Sequence, residues 1–210
     1  MSLRVTTYLP PLPVIAGENE TYQYVPPGRS IITVLTDDHA ELAAMADALA
    51  KAQMPTRQDA DRLTAATTRH LSAERQYLYP VLEKLPSTHG SETADRQIDR
   101  DETLLKDLAA LQTVAPGTAA FRQSAQAIVT ELHRHTGSCD ADIFPELLAA
   151  VSKVDLIRLG NRVEVAREAA PSRPHHGAPA RPPWNKLTDA LLGAADKIRD
   201  LLTGRKTYPA

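Results

Sequence analysis

The chain has a single cysteine, Cys139, so no intrachain disulfide can form and stability must come from a packed core. One cysteine also fits a reducing compartment, and a cytoplasmic location is the expectation. Aromatic residues are scarce, at 4%, while Ala and Leu are abundant, a balance that favours helix over strand. No apolar run approaches the roughly 18 residues that would cross a bilayer, so no membrane span is expected. After Arg4, Pro10, Pro11 and Pro13 break the first apolar stretch, which makes a poor signal peptide. Charge of one sign is lacking too: the net charge is -2, and no nucleic-acid partner is expected. The small excess is unevenly spread. From Ser152 onward there are 11 Lys+Arg against 6 Asp+Glu, leaving 13 against 20 before it, an acidic body and a basic tail. Gly-rich phosphate loops, zinc-knuckle spacings and serine-triad motifs are absent.

What is present is a repeat. His70-Leu-Ser-Ala-Glu74 is followed by Tyr79-Pro80, and 65 residues later His135-Thr-Gly-Ser-Cys139 is followed by Phe144-Pro145. Residues four apart on a helix lie one turn above each other. Each stretch can therefore aim two side chains at one point.

The periodicity predicts an all-α chain. Residues 1–30 are Pro-rich and read as an extended lead-in. Residues 31–152 carry four helical patterns joined by short loops, an antiparallel up-down-up-down four-helix bundle. The first has Leu35, His39, Leu42, Ala46 and Leu49 on one face, with Asp37 or Asp38 near its start. The second, about 56–85, has Leu63, Thr67, His70, Glu74, Tyr77, Val81 and Leu85. The third, about 92–113, has Ala94, Ile98, Asp101, Leu105, Leu108 and Leu111. The fourth starts near Thr118 and presents Phe121, Ala125, Ile128, Leu132, His135, Cys139, Ile143, Leu147 and Val151. Residues 153–170 continue as helix. Residues 171–185 form a Pro-rich linker with the pair His175-His176, expected to be flexible and solvated. Residues 186–203 form an amphipathic helix with Leu187, Leu191, Ala194, Ile198 and Leu202 on one stripe, expected to dock back on the bundle.

A bundle that only packs would have apolar stripes throughout. Instead His39, His70, Glu74, Asp101, His135 and Cys139 interrupt them, and burying such groups without partners costs roughly 2–7 kcal/mol each. Histidines and carboxylates converging inside a bundle are how helical proteins build metal sites, and imidazole with carboxylate suits iron, zinc, copper or nickel. Asp140 beside Cys139 is a further oxygen donor, reachable if Gly137 permits a helix bulge. The plain alternative for Cys139 is a packed thiol, and for Asp101 a hydrogen-bonded or solvated edge residue. His89 and His133 read as solvated.

Over about residues 31–150 the sequence resembles the hemerythrin-like family of HHE cation-binding domains, four-helix bundles with a non-haem di-iron centre. Asp38-His39-Ala-Glu-Leu42 resembles the first-helix motif, His70 to Glu74 with Tyr79-Pro80 the second, and His135 with Asp140 and Phe144-Pro145 the fourth. The resemblance implies metal ligation by His39, His70, Glu74 and His135. It also implies non-haem iron, as one or two ions or another transition metal, serving O2, NO or peroxide as sensor, store or scavenger. Two positions depart from the pattern. Ile98 stands where the third helix should carry a histidine, with Asp101 as the nearby substitute, and Cys139 stands in the fourth-helix glutamate position. The missing histidine would leave an open coordination position. The alternatives are a metalloenzyme that processes a small oxidant, and a metal-free bundle serving as an interaction domain.

Overall fold

The structure is a computed structural model that describes residues 25–85 and 89–207. Most of the predicted lead-in, residues 1–24, and part of the loop after the second helix, residues 86–88, lie outside the described residues. Every regular element among the described residues is helical. Helix α1 spans Ile31–Lys51. Helix α2, Arg57–Ala73, runs through a π-helical turn, Glu74–Leu78, into α3, Tyr79–Leu82. Helix α4 spans Gly90–Thr113. Helix α5, Ala119–Ser138, runs through a second π turn, Cys139–Ile143, into α6, Phe144–Ala150. Helix α7 spans Lys153–Ala169 and α8 spans Trp184–Thr203.

Local chemistry explains where these helices start. The hydroxyls of Ser30, Thr56, Thr118 and Ser152 each accept a backbone N–H of the first turn. Such caps satisfy donors that the helix itself leaves free. At Thr56 the cap is reciprocal, because the Asp59 carboxylate accepts the Thr56 backbone N–H. Asp37 and Asp38, expected near the first helix start, fall in its second turn.

The four rods form a ring in which α1 and α4 each pack against both α2 and α5. Helix α7 covers α1 and α2 from outside, and α8 lies on α7 and the first π turn. The apolar core is divided. Leu42, Leu63, Leu108, Phe121 and Ile128 belong to one cluster, and Ile31, Leu35, Leu78, Ile143, Leu147 and Val163 to the other. The buried polar side chains on the bundle's inward faces interrupt these apolar stripes.

The π turns shift the inward face. Proline has no N–H, and its ring clashes with the carbonyl four residues back, so an α-helical turn cannot simply run through Pro80 or Pro145. The chain widens instead: the N–H of Tyr79 donates to the Glu74 carbonyl and that of Phe144 to the Cys139 carbonyl, each five residues back. As a result Leu78, Tyr79 and Leu82 point inward, and the predicted Tyr77, Val81 and Leu85 are only partly buried. On α4 the inward residue is Gln97, 1% exposed, while Ile98 packs at the core's margin.

Two expectations for the C-terminal part are corrected. The 171–183 segment is not a loose solvated tether. Ser172 is buried, its N–H and that of Arg173 donate to Asp196, and His175 Nε2 lies 3.0 Å from the same carboxylate. Helix α8 does dock, but through its polar face, with Asn185, Asp189, Asp196 and Asp200 buried and Leu187, Leu191 and Ile198 exposed.

Candidate metal centre

One ligating atom from each of His39, His70, Glu74 and His135 lies within 4.8 Å of the other three, and all four residues are buried. Helix α1 supplies His39. Helix α2 supplies His70, with Glu74 one turn on at the start of the π turn, and α5 supplies His135. The imidazoles meet through their Nε2 atoms, His39 to His70 at 3.1 Å and His70 to His135 at 3.3 Å. Glu74 Oε1 is 3.4 Å from His70 Nε2 and 3.6 Å from His39 Nε2, and Glu74 Oε2 is 3.1 Å from His135 Nε2. Two donors about 2.1 Å from a shared ion, at angles between octahedral and tetrahedral, are separated by about 3.0–3.4 Å. Most of these spacings lie in or near that range, so the cluster is one that could hold a transition-metal ion. Glu74 Oε1 is also buried without a hydrogen-bond partner, as a metal-facing oxygen would be.

The surroundings orient the rings. His70 Nδ1 is 3.3 Å from Asp38 Oδ2, and Arg167 holds the other Asp38 oxygen at 2.6 Å. His135 Nδ1 faces Asp101 Oδ1 at 3.5 Å. A proton kept on Nδ1 by a carboxylate leaves the Nε2 lone pair free to ligate; His70 has this arrangement, while His135 Nδ1 faces its carboxylate without a hydrogen bond. His39 has no such partner on Nδ1, but its ring stacks on Phe144 with centroids 5.9 Å apart. Tyr79 joins the two layers, since its hydroxyl lies 3.0 Å from Glu74 Oε2 and 3.1 Å from Asp101 Oδ2 and shares its one proton between the two carboxylates. In an α-helix a step of five residues turns about 140° off the starting face. The wider π turn returns Tyr79 to the side of Glu74.

The electrostatics favour positive charge at this point. Burial alone would raise the Glu74 pKa, but His70 and His135 hold it well below the usual carboxylate range. Burial alone would lower His135, but Glu74 and Asp101 push it up to about 10. His70 is raised in the same way, against its burial, by Glu74 and Asp38. At His39 burial wins and the pKa falls. A metal cation bound to these nitrogens supplies the charge that the buried carboxylates otherwise draw in as protons.

The other sequence-predicted residues stand apart from the cluster. Asp101 lies behind His135, tied to Tyr79 and to Arg75 Nε at 3.2 Å. Cys139 is fully buried, and burial first, then Glu74 and Asp101, push its thiol well above its usual range. A proton-bearing thiol among Ile143, Phe144 and Leu147 behaves as a small apolar residue. Asp140 is on the exposed face. The π turn that follows Ser138 is explained by Pro145 and leaves Gly137 exposed. Sequence reasoning missed four residues: Asp38, Arg75, Tyr79 and Arg167. The repeated aromatic–proline pair marked Tyr79, and adjacency to His39 marked Asp38. Nothing local marks Arg167, which arrives from α7. A cavity of about 660 Å³ between α1, α2 and α7 reaches His70 and Asp38 past Leu42, Met45 and Leu49.

Comparison with known proteins agrees with this geometry. The model of the hemerythrin HHE cation-binding domain matches residues 30–147, more than half of the chain. An uncharacterised hemerythrin-like protein of Schizosaccharomyces pombe is 22% identical over 134 residues, covering 64% of this chain and 66% of the relative, just under two thirds of its length. No solved structure matches.

Proposed function

The chain belongs to the hemerythrin HHE cation-binding family, and on that premise we propose a non-haem iron protein that holds one metal ion through His39, His70, Glu74 and His135. The observation that carries this reading is the convergence of three imidazole Nε2 atoms on one buried carboxylate. Asp101 and Asp38 orient the histidines from behind, while Cys139 and Asp140 serve as packing and surface residues. His39, His70, Glu74 and His135 would hold the ion, which when bound would supply binding and redox chemistry toward O2, NO or peroxide. The cavity beside His70 comes within one imidazole of the cluster, on the side where Asp38 holds the ring. Sensor, store or scavenger in the cytoplasm is the role this chemistry supports. No helix among the described residues is long and apolar enough to cross a membrane.

The test is metal analysis with an optical spectrum of freshly purified protein, beside His70→Ala. About one iron per chain, lost in the variant, is the expected result. A wild type that ignores added ferrous iron would leave the metal-free interaction domain as the reading. Catalytic consumption of peroxide or O2, in place of reversible binding, would identify the oxidant-processing enzyme.

A further inference from the structure

Helix α8 is turned inside out. Its polar face is buried by specific partners: Asp189 accepts from Ser72 Oγ at 2.6 Å and Gln76 Nε2 at 3.1 Å, and Asn185 Nδ2 donates to the Arg75 carbonyl at 3.1 Å. Asp200 accepts from Arg173 Nη2 at 2.6 Å. Gly193 sits at the crossing with α7, where a side chain would collide with the Ala169 carbonyl. These contacts set which way the helix faces. They leave Trp184, Leu187, Leu191, Ile198, Leu201 and Leu202 between 56% and 85% exposed.

The exposed residues have an order. Trp184, Leu187, Leu191, Ala194, Ile198 and Leu201 follow one another at steps of three, four, three, four and three. That is the a/d spacing of a coiled-coil seam. Placed antiparallel against itself, the seam is self-complementary: Trp184 meets Leu201 of the second copy, Leu187 meets Ile198, and Leu191 meets Ala194. A parallel pairing would set Ala194 against Ala194 and leave a gap between two wide layers. Six side chains at roughly 100 Å² each hide on the order of 1,200 Å² across both copies, the lower edge of the stable-dimer range. A soluble monomer seldom carries an apolar patch this large without a use for it.

The flanking charges point away from a lipid surface. Lys186 is folded back over the Tyr77 ring, 4.3 Å from its centroid, and Lys197 Nζ is bonded to the Glu168 carbonyl. The acidic residues of α8 at 189, 196 and 200 are buried in the protein's own body, so no like-charge ladder opposes two copies meeting.

We propose that the exposed a/d seam of α8 is the interface of an antiparallel two-fold dimer, a second copy of this chain covering the face that the bundle leaves bare. The proposal is independent of the metal reading. Sedimentation of the full metal-loaded chain tests it. Wild type is expected at twice the 22.9 kDa chain mass. Leu187→Asp and Ile198→Lys should each weaken association by roughly 100-fold or more at unchanged helix content and metal content. Mixed one to one, the two variants should pair again, because an antiparallel seam sets residue 187 of one against residue 198 of the other. A monomeric wild type at about 100 μM overturns the proposal, as does a dimer indifferent to both changes or a mixture that stays apart. So does a monomer that sediments with phosphatidylserine vesicles, which would make the face a membrane contact.

Discussion

The two halves of the repeat share a backbone and differ in chemistry. His70 to Pro80 and His135 to Pro145 both open into a π turn at the same place, each closed by an aromatic N–H donating to the carbonyl five residues back. In the first half that turn brings the Tyr79 hydroxyl onto the Glu74 carboxylate, and both belong to the polar centre. In the second half the same geometry holds Phe144 against His39 and Cys139 against Ile143 and Leu147, all apolar packing. The proline decides the shape of the turn, and the residues at its first and sixth positions decide whether it is a ligand site. A duplicated frame therefore yields a lopsided centre, with His135 as the only cluster member from the second half.

The largest expected effect comes from removing the carboxylate of the first half. Glu74→Ala should weaken metal binding by on the order of 100-fold or more, since four ligands share a total on the scale of ~10 kcal/mol or more. Cys139→Ala, at the matching position, should keep its metal. Metal per chain after dialysis reads both, and equal losses would erase the distinction between the halves.

Making the second half resemble the first comes next. Cys139→Glu places a carboxylate near Glu74 and Asp101 in a buried site, and the metal-free variant should lose about 3 kcal/mol of stability. Ferrous iron should recover much of that loss, because metal bound only to the folded state stabilises it by mass action. Thermal melts with and without iron measure this. A variant whose melting temperature ignores iron would mean that the second π turn is too far from the ion to contribute.

The converse change makes the first half resemble the second. Tyr79→Phe removes the hydroxyl bridge between Glu74 and Asp101 and should weaken metal binding about 10–100-fold. Phe144→Tyr should gain no metal affinity and should cost about 1–3 kcal/mol, since the new buried hydroxyl lacks a partner. Isothermal titration separates the pair; identical affinities in Tyr79→Phe and wild type would remove Tyr79 from the centre.

The smallest effect is expected from the prolines. Pro80→Ala restores an N–H and lets the turn relax toward α geometry, which moves Tyr79 away from Glu74. A change of about tenfold or less in metal affinity is expected, and less still for Pro145→Ala, whose aromatic neighbour carries no hydroxyl. Metal titration beside hydrogen exchange through the two turns checks this. A hundredfold loss in either would give the backbone, in place of the ligands, the main role.

Much of the fold could be read from local signals. Caps at Thr56, Thr118 and Ser152 mark helix starts because a short hydroxyl side chain satisfies free backbone donors wherever it sits. His39, His70, Glu74 and His135 could be read as inward because helical periodicity holds along each segment up to the π turns. Beyond them one extra residue per turn rotates the face, so Tyr77 gives way to Tyr79 and the pattern misleads. On α4 apolar periodicity turns Ile98 inward, but Gln97, about 100° of helix rotation away, is the buried residue because its side chain donates to Ser138 Oγ across on α5.

Sequence alone determined the helices, their order and the four inward residues His39, His70, Glu74 and His135, because propensity, capping and periodicity act within a few turns of chain. Tertiary structure alone decided which atoms meet. Arg167 reaches Asp38 only because α7 packs across α1, and Asp101 stands behind His135 only because α4 lies beside α5. The same holds for α8, whose stripe of leucines reads as a buried face. Its orientation is set by hydrogen bonds from Ser72, Gln76 and Arg173, residues distant in the chain, and by the close crossing at Gly193. Amphipathicity states that a helix has two faces; only the partners present at each face determine which one is turned to water.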